Sequence, residues 1–357
     1  MSTPAPSTSK SGGLYAWLDA RVDITGALNF ARTRQVPHHK LSTLYHLGGA
    51  TLFVLFMLVA SGILLSLHYR PSLADAHGSV QHIITDVPFG DLIRSVHVWS
   101  AELFIGLLIA HVFSVWLTRS YRAPRELTWV LGSFLLLAAT FSGFTGYLLP
   151  WSELSYNATR VGTEMAANVP VIGAWLRTFL RGGDEVGGQT LARFFGLHIA
   201  LLPGTITIFL FLHIVQVQRL GVSTPESLAA IGGVRTLPYF PNIMLRDFAF
   251  WLTLLALVLS LAAFAPRDLG LAADPFRGAP ENIKPEWYFL FIYQTLKLLP
   301  ADILGVEGDV VGVTGFCIAF LYVLALPFID RSATGSTRMG WLALSFFLGM
   351  TVYGWLD

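Results

Sequence analysis

Seven apolar runs, almost free of charge between their ends, constrain this chain more than any other feature: His46 to His68, Ile93 to Leu117, Trp129 to Leu149, Gly196 to Val217, Phe248 to Phe264, Val310 to Phe328 and Met339 to Trp355. A hydrocarbon layer of about 30 Å is spanned by about 20 helical residues, and each run approaches or exceeds that length. With 54% hydrophobic and only 13% charged residues over 357 positions, the chain cannot also cover itself with a water-facing surface. The expected fold is therefore all-α, a polytopic protein of seven transmembrane helices in a lipid bilayer. A net charge of +1, without a long basic run, excludes nucleic acid as a partner.

The segments outside the runs set the topology. Residues 1–13, rich in Ser, Pro, Thr and Gly, are expected to be disordered, with no signal-peptide core. In 14–45, Leu14, Trp17, Leu18, Ile24 and Leu28 recur at helical spacing among charges, which predicts an amphipathic helix from Leu14 to Ala31 lying in the interface, then a linker. Seven crossings put the N-terminus and the loops near 118–128, 218–247 and 329–338 on one face, which takes 13 of the 23 Lys and Arg but 6 of the 22 Asp and Glu. That bias predicts a cytoplasmic N-terminus and an outside C-terminus. The two longest outside connections, Pro150 to Arg193 and Pro266 to Asp309, carry helical patterns at Ser152 to Ala166, Val171 to Leu180 and Pro285 to Leu299. Long structured loops on one face of a bundle mark a site or a docking surface.

Four of the ten histidines lie inside the runs, His97 and His111 in the second and His198 and His213 in the fourth. Fourteen residues rise about 21 Å and return to within roughly 40° of the same helix face, whereas a 15-residue interval ends about 60° off. Both helices run inward, so His97 is level with His198 and His111 with His213. Opposed imidazoles at one depth are the axial ligands of a b-type haem, and two such pairs predict two stacked haems. One intramembrane histidine is usually just hydrogen-bonded to a neighbouring helix; two pairs at matching depths favour the haem reading. The remaining six, His38, His39, His46, His68, His77 and His82, fall at membrane edges or in loops and are expected to be solvated or interfacial. Gly48 and Gly62 in the first run and Gly132 and Gly146 in the third repeat the 14-residue interval. Glycine admits close approach, so each pair is expected to pass porphyrin edges at the two haem levels. The single cysteine, Cys317, lies in the sixth run, outside any Cys-x-x-Cys-His setting. Both haems are thus expected to be non-covalent, with no covalent haem.

These residues resemble the cytochrome b subunit of the quinol-oxidising complexes that contain a Rieske iron–sulfur protein. The matching stretches are Leu92-Ile-Arg-Ser-Val-His97-Val-Trp-Ser100, Pro124-Arg-Glu-Leu-Thr-Trp129, Gly143-Phe-Thr-Gly-Tyr-Leu-Leu-Pro-Trp151, Pro170-Val-Ile-Gly173, Phe194-Phe-Gly-Leu-His198 and Pro285-Glu-Trp-Tyr288. The first four runs look most like the chloroplast-type cytochrome b, and the last three like its separate small subunit, here fused into one chain. The resemblance implies a four-helix di-haem bundle at 46–217, a cytoplasmic linker at 218–247 and a three-helix C-terminal domain at 248–357 carrying the Pro-Glu-Trp-Tyr loop. It makes His97 and His198 the iron ligands of the outer haem and His111 and His213 those of the inner haem. Glu286 becomes the carboxylate that takes a proton from quinol, with Tyr147 and Tyr293 as pocket neighbours. A carboxylate between Pro285 and Trp287 at membrane depth should also be partly desolvated, which raises its pKa. Arg94, one turn before His97, is expected either to neutralise a haem propionate or to snorkel to the interface. Trp287 and Tyr288 are expected as interface anchors or quinone contacts.

The chloroplast type tethers an extra haem through a cysteine where His46 stands here, so no thioether can form. Its basic residue at the inner quinone site is replaced by Gln218, which leaves Arg219 and Arg32 as candidates. The implied activity is that of a redox subunit of a quinol:cytochrome c, or plastocyanin-like acceptor, oxidoreductase. Quinol oxidised at the outer face sends one electron to a Rieske iron–sulfur protein, and thence to a c-type cytochrome or equivalent acceptor. The other electron passes through the two b haems to quinone at the inner face, with proton translocation. The setting is a bacterial inner (plasma) membrane and the complex a homodimer. A di-haem anchor of a dehydrogenase or hydrogenase would need the histidines but not Pro285-Glu286-Trp287-Tyr288, and a proton-coupled transporter would use the histidines as relays.

Overall fold

The computed structural model describes residues 13–229, 232, 234–277, 279, 283–332 and 334–357. Seven of its helical stretches are long and apolar enough to cross a membrane: Ser42–Ser66, Gly90–Leu117, Glu126–Leu148, Gly188–Leu220, Tyr239–Phe264, Gly308–Ile329 and Gly335–Leu356. These are the seven runs read from the sequence, lengthened by a few residues at most ends. Lengthening follows from amphipathic turns that continue a helix past the hydrocarbon edge, where apolarity no longer marks it. Large apolar side chains on the spans, including Phe56, Ile208, Phe211 and Leu321, are exposed, as expected where the solvent is lipid.

The helices are α1 (Leu14–Val22), α2 (Ile24–Thr33), α3 (His46–Ser66), α4 (Ala76–Thr85), α5 (Gly90–Leu117), α6 (Glu126–Leu148), α7 (Glu153–Ala167), α8 (Gly173–Arg181), α9 (Gly188–Gly196), α10 (Leu202–Leu220), α11 (Glu226–Ala229), α12 (Met244–Phe264), α13 (Trp287–Leu298), α14 (Gly308–Ile329) and α15 (Gly335–Leu356). A π turn, Leu197–Leu201, joins α9 to α10 within one span. The single interfacial helix expected over Leu14 to Ala31 is in fact two. Asp23 adopts a left-handed conformation (φ 50°), breaks the helix there, and caps α2 through its side chain to the Gly26 N–H. The expected disorder of residues 1–13 falls, apart from Gly13, outside the described residues.

In the first half α3 packs along α5 and α6 along α10. The second half lies against this bundle: α12 packs on α5 and α3, α14 on α6, and α15 on α5 and α13. Two features that apolar periodicity does not reveal tie the connections down. Gln35–His38 and Arg235–Pro238 form a two-stranded antiparallel ribbon that joins the N-terminal segment to the 218–247 linker. Arg122 and Tyr121, after α5, both bind Asp330, after α14, at 2.9 and 2.6 Å. On the opposite face, Ser152 and Ser155 form a capping box that starts α7, and Gly182 (φ 78°) ends α8. These two helices and α13 coincide with the patterns read in the long loops, and they roof the end of the bundle where α6 finishes.

Candidate functional site

The depth argument from histidine spacing meets a specific geometry here. His97 on α5 and His198 in the π turn face one another with ring centroids 6.3 Å apart and planes at 77°. Two imidazoles sharing one metal ion at N–metal distances of about 2 Å place their centroids roughly 6 Å apart, so this pair fits axial ligation of an iron. The Nδ1 atoms of three of the four rings are engaged elsewhere, which leaves Nε2 for a metal. His97 Nδ1 lies 2.9 Å from Ser61 Oγ. His198 and His213 donate from Nδ1 to the carbonyls of Ser142 and Thr128, each at 3.0 Å. His111 Nδ1 has no hydrogen-bond partner among the described residues. The interval of 15 residues between His198 and His213 no longer implies a 60° error. The π turn takes up one residue, so the fourth span turns as far in 15 residues as α5 does in 14.

Each of the four glycines, Gly48, Gly62, Gly132 and Gly146, packs against one of the four imidazoles. A Cβ on Gly62 would lie 3.1 Å from Cε1 of His97, one on Gly48 3.4 Å from His111, one on Gly132 3.3 Å from His213 and one on Gly146 2.5 Å from His198. All four histidines are thus seated by the helix packed alongside, α3 for α5 and α6 for α10.

Beside the His97–His198 end lies a cavity of about 1490 Å³, walled by α6, α7, α8 and α13. Glu286, Tyr147, Tyr288 and Tyr293 line it. Tyr147 directly follows Gly146, so the cavity begins one residue from the contact with His198. Tyr293 is turned toward the carbonyl of Ile283 at 3.5 Å. Burial, then the neighbouring Glu102 carboxylate through its charge and a hydrogen bond, raise the pKa of Glu286 to about 8, with Arg267 opposing them.

Three expectations need correction. Arg94 does not snorkel: it is buried, and its guanidinium donates to the backbone carbonyls of Arg267 and Asp268 in the loop after α12. Tyr288 is no interface anchor, being buried with its hydroxyl against Gly143, and Trp287 is held inward, its Nε1 donating to Glu102 at 2.6 Å. His46 is not solvated but buried, with Nδ1 2.5 Å from Asp247 Oδ1 at the end of the bundle nearer the N-terminus. At that same end Arg34 donates to the backbone carbonyl of Gln218 at 3.0 Å, while Arg32 lies over the ring of Phe240. Sequence reasoning passed over Asp247, at the edge of the fifth run, and Glu102, although an ionisable residue inside an apolar run, as Glu102 is, is itself a functional signal.

Histidines paired across a helical membrane bundle, with a part-buried carboxyl opening on a large cavity at one end, are the arrangement of a membrane electron-transfer protein. The family models for "Cytochrome b/b6/petB" and "Cytochrome b(C-terminal)/b6/petD" match residues 32–221 and 272–356. The chain is 41% identical over 348 residues to a cytochrome bc complex cytochrome b subunit of Chlorobaculum thiosulfatiphilum, covering 95% of this chain and 80% of that one. It is 39% identical over 217 residues to cytochrome b6 of Parasynechococcus marenigrum, covering 61% of this chain and 99% of that one. A solved hyperthermophilic respiratory Complex III chain superimposes with a TM-score of 0.83 at 28% identity, covering 96% of this chain and 91% of that one. The chain belongs to the cytochrome b/b6 family, with the b6-like and petD-like parts in one polypeptide.

Proposed function

We propose that this subunit oxidises quinol in the cavity beside Glu286, at the outer face of a bacterial plasma membrane, and reduces quinone at the inner face. Membership of the family implies b-type haem; the residues that would hold it are His97 with His198 at the outer level and His111 with His213 at the inner. Haem so bound, without a thioether, supplies one-electron carriers at two depths, so one quinol electron crosses the membrane while the other goes to a Rieske iron–sulfur partner and on to a c-type cytochrome or equivalent acceptor. The chain's own residues handle position and protons. Tyr147, Tyr288 and Phe289 give the cavity aromatic walls for a flat ring, and Glu286 offers a carboxyl that can be reloaded near neutral pH.

The observation that carries this reading is that proton acceptor and electron ligand share one end of the bundle: the cavity lined by Glu286 is one residue away from the glycine against His198. The excess of Lys and Arg on the N-terminal face supports an inside N-terminus. A partner iron–sulfur protein and a second copy of the complex complete the proposal. The test uses the purified complex with the inner quinone site blocked. Adding quinol and then a sudden excess of oxidised cytochrome c should reduce b haem further rather than oxidise it, because the two quinol electrons part company. Simple oxidation of the haem on adding the acceptor would indicate a linear di-haem anchor instead, and absence of a b-type α-band would indicate a transporter.

A further inference from the structure

Glu102 stands in α5 five residues past His97 and is largely buried, its side chain 13% exposed. It is not among the residues lining the cavity, whereas Glu286 is. One of its oxygens accepts the indole N–H of Trp287 at 2.6 Å; the other lies 3.6 Å from Arg267 Nη2. On the cavity side its neighbouring carboxyl is that of Glu286, the residue directly before Trp287. Arg267 is itself fixed, its guanidinium 4.3 Å from the centre of a Trp99 ring and its carbonyl bound by Arg94. The other titratable groups facing the pair are Tyr147 from α6 and Tyr288 from α13.

Two carboxyls in contact, shielded from water, hold one proton between them. The indole N–H and the guanidinium lie against Glu102 and not Glu286, so a proton carried by Glu286 has the Glu102 side chain as its neighbouring acceptor on the side away from the cavity. We propose that Glu102 is a positioning residue for quinol oxidation, the proton-relay partner behind Glu286 on the way to the outer face. The inference rests on the reading of Glu286 as the quinol's proton acceptor. In the step, the Glu286 O–H breaks as an O–H forms on Glu102. The quinol O–H then breaks as the Glu286 O–H forms again, and Glu102 releases its proton on the Arg267 side to restore the starting pair. One proton leaves the quinol and one reaches the outer water; the quinol's electrons go to the iron–sulfur partner and the haem.

The experiment is pre-steady-state quinol oxidation by the purified complex across roughly pH 5.5 to 9, in wild type, E102Q, E102D, E286Q and W287F, with haem spectra recorded for each. In E102Q the neighbouring charge is gone, so the acid limb should move to lower pH by about 1 to 3 units. Its plateau should also fall, by up to about 10²-fold, because the second proton site is lost. E102D should return the limb toward wild type. An E102Q profile that superimposes on wild type, with E286Q slowed, overturns the relay and leaves the Glu286 reading standing. An E286Q profile identical to wild type overturns the underlying reading. If E102Q does not assemble, W287F removes the indole donor while keeping both carboxyls, which weakens the preference for charge on Glu102. Its limb should move in the same direction by less, and an unmoved limb overturns the relay.

Discussion

The Cβ that Gly146 lacks would stand 2.5 Å from Cε1 of His198 and 2.9 Å from its Nδ1. Real Cβ atoms do not make contacts that short, so alanine at 146 must push the ring or the helix aside. Gly146→Ala should therefore strip haem from the outer pair. Gly48→Ala places its methyl 3.4 Å from His111, an ordinary contact, and should keep the inner haem. Redox difference spectra of the two variants check this graded effect; equal haem loss in both would mean that the glycines act through general helix packing.

The histidines themselves give a sharper division. His111→Ala or His213→Ala should remove the inner haem and leave the spectrum of the outer one, and His97→Ala or His198→Ala the reverse. Loss of a haem also removes stabilisation by a bound ligand, so reduced expression should accompany each. Retention of both haems after any single substitution would overturn the assignment. Since Cys317 lies on α14 and no thioether can form at His46, acidified acetone should extract all the haem from this subunit, leaving no haem-staining band at its mass on a denaturing gel.

Glu286 accepts a proton only as the carboxylate. With its pKa raised to about 8 by burial and by Glu102, the ionised fraction, and with it the rate of quinol oxidation, should climb as pH rises toward 8 and flatten above it. Glu286→Gln should abolish that limb and slow oxidation by about 10²-fold or less, the low end for a general base, since water can partly substitute. Stopped-flow reduction of the outer haem by quinol, with the inner site blocked, measures both effects. A rate and pH profile matching wild type would remove Glu286 from the proton path.

Far from the cavity, Asp330 links the two halves of the chain. Burial opposes its ionisation, but hydrogen bonds from Tyr121, Arg122 and Ser332 prevail and hold its pKa down to about 2. A depressed carboxylate pKa adds stability above the unfolded value near 3.8, and that stability disappears as pH falls from there to about 2. Asp330→Asn should thus lower the melting temperature of the solubilised complex at neutral pH, by a free energy on the order of 1–3 kcal/mol, and the gap to wild type should close in acid. A gap unchanged down to the acid limit would mean that the carboxylate's charge is not what matters.

Much of this was legible in the residues because a bilayer punishes charge, so the spans announce themselves by what they exclude. Histidine and glycine intervals encode depth, and depth is what the sequence conveys well. Azimuth is not: that Gly62 packs against the His97 ring depends on how α3 is rolled against α5. Glu102 was missed for a related reason. Its apolar neighbours say that it is buried, but only the packing of α13 and the 265–268 loop on α5 shows that Trp287, Arg267 and Glu286 converge on it. The 35–38 and 235–238 ribbon joins segments some 200 residues apart, and nothing local in either predicts the pairing.

The π turn at Leu197–Leu201 has a consequence for how such a chain can change length. A residue added to an ordinary helix rotates everything beyond it by about 100°, which here would swing His213 away from His111. Confined to one widened turn, the addition is absorbed locally, and both ends of the span keep their partners. Deleting one of Ile199, Ala200 or Leu201, which follow His198 in the turn, should close it to a regular helix and leave both ligand pairs facing one another. The same deletion three turns later, in unbroken α10, should separate His213 from His111. The fourth span therefore contains a tolerated point of insertion and deletion, and counting residues between its histidines is a poor guide to whether two such proteins hold their cofactors alike.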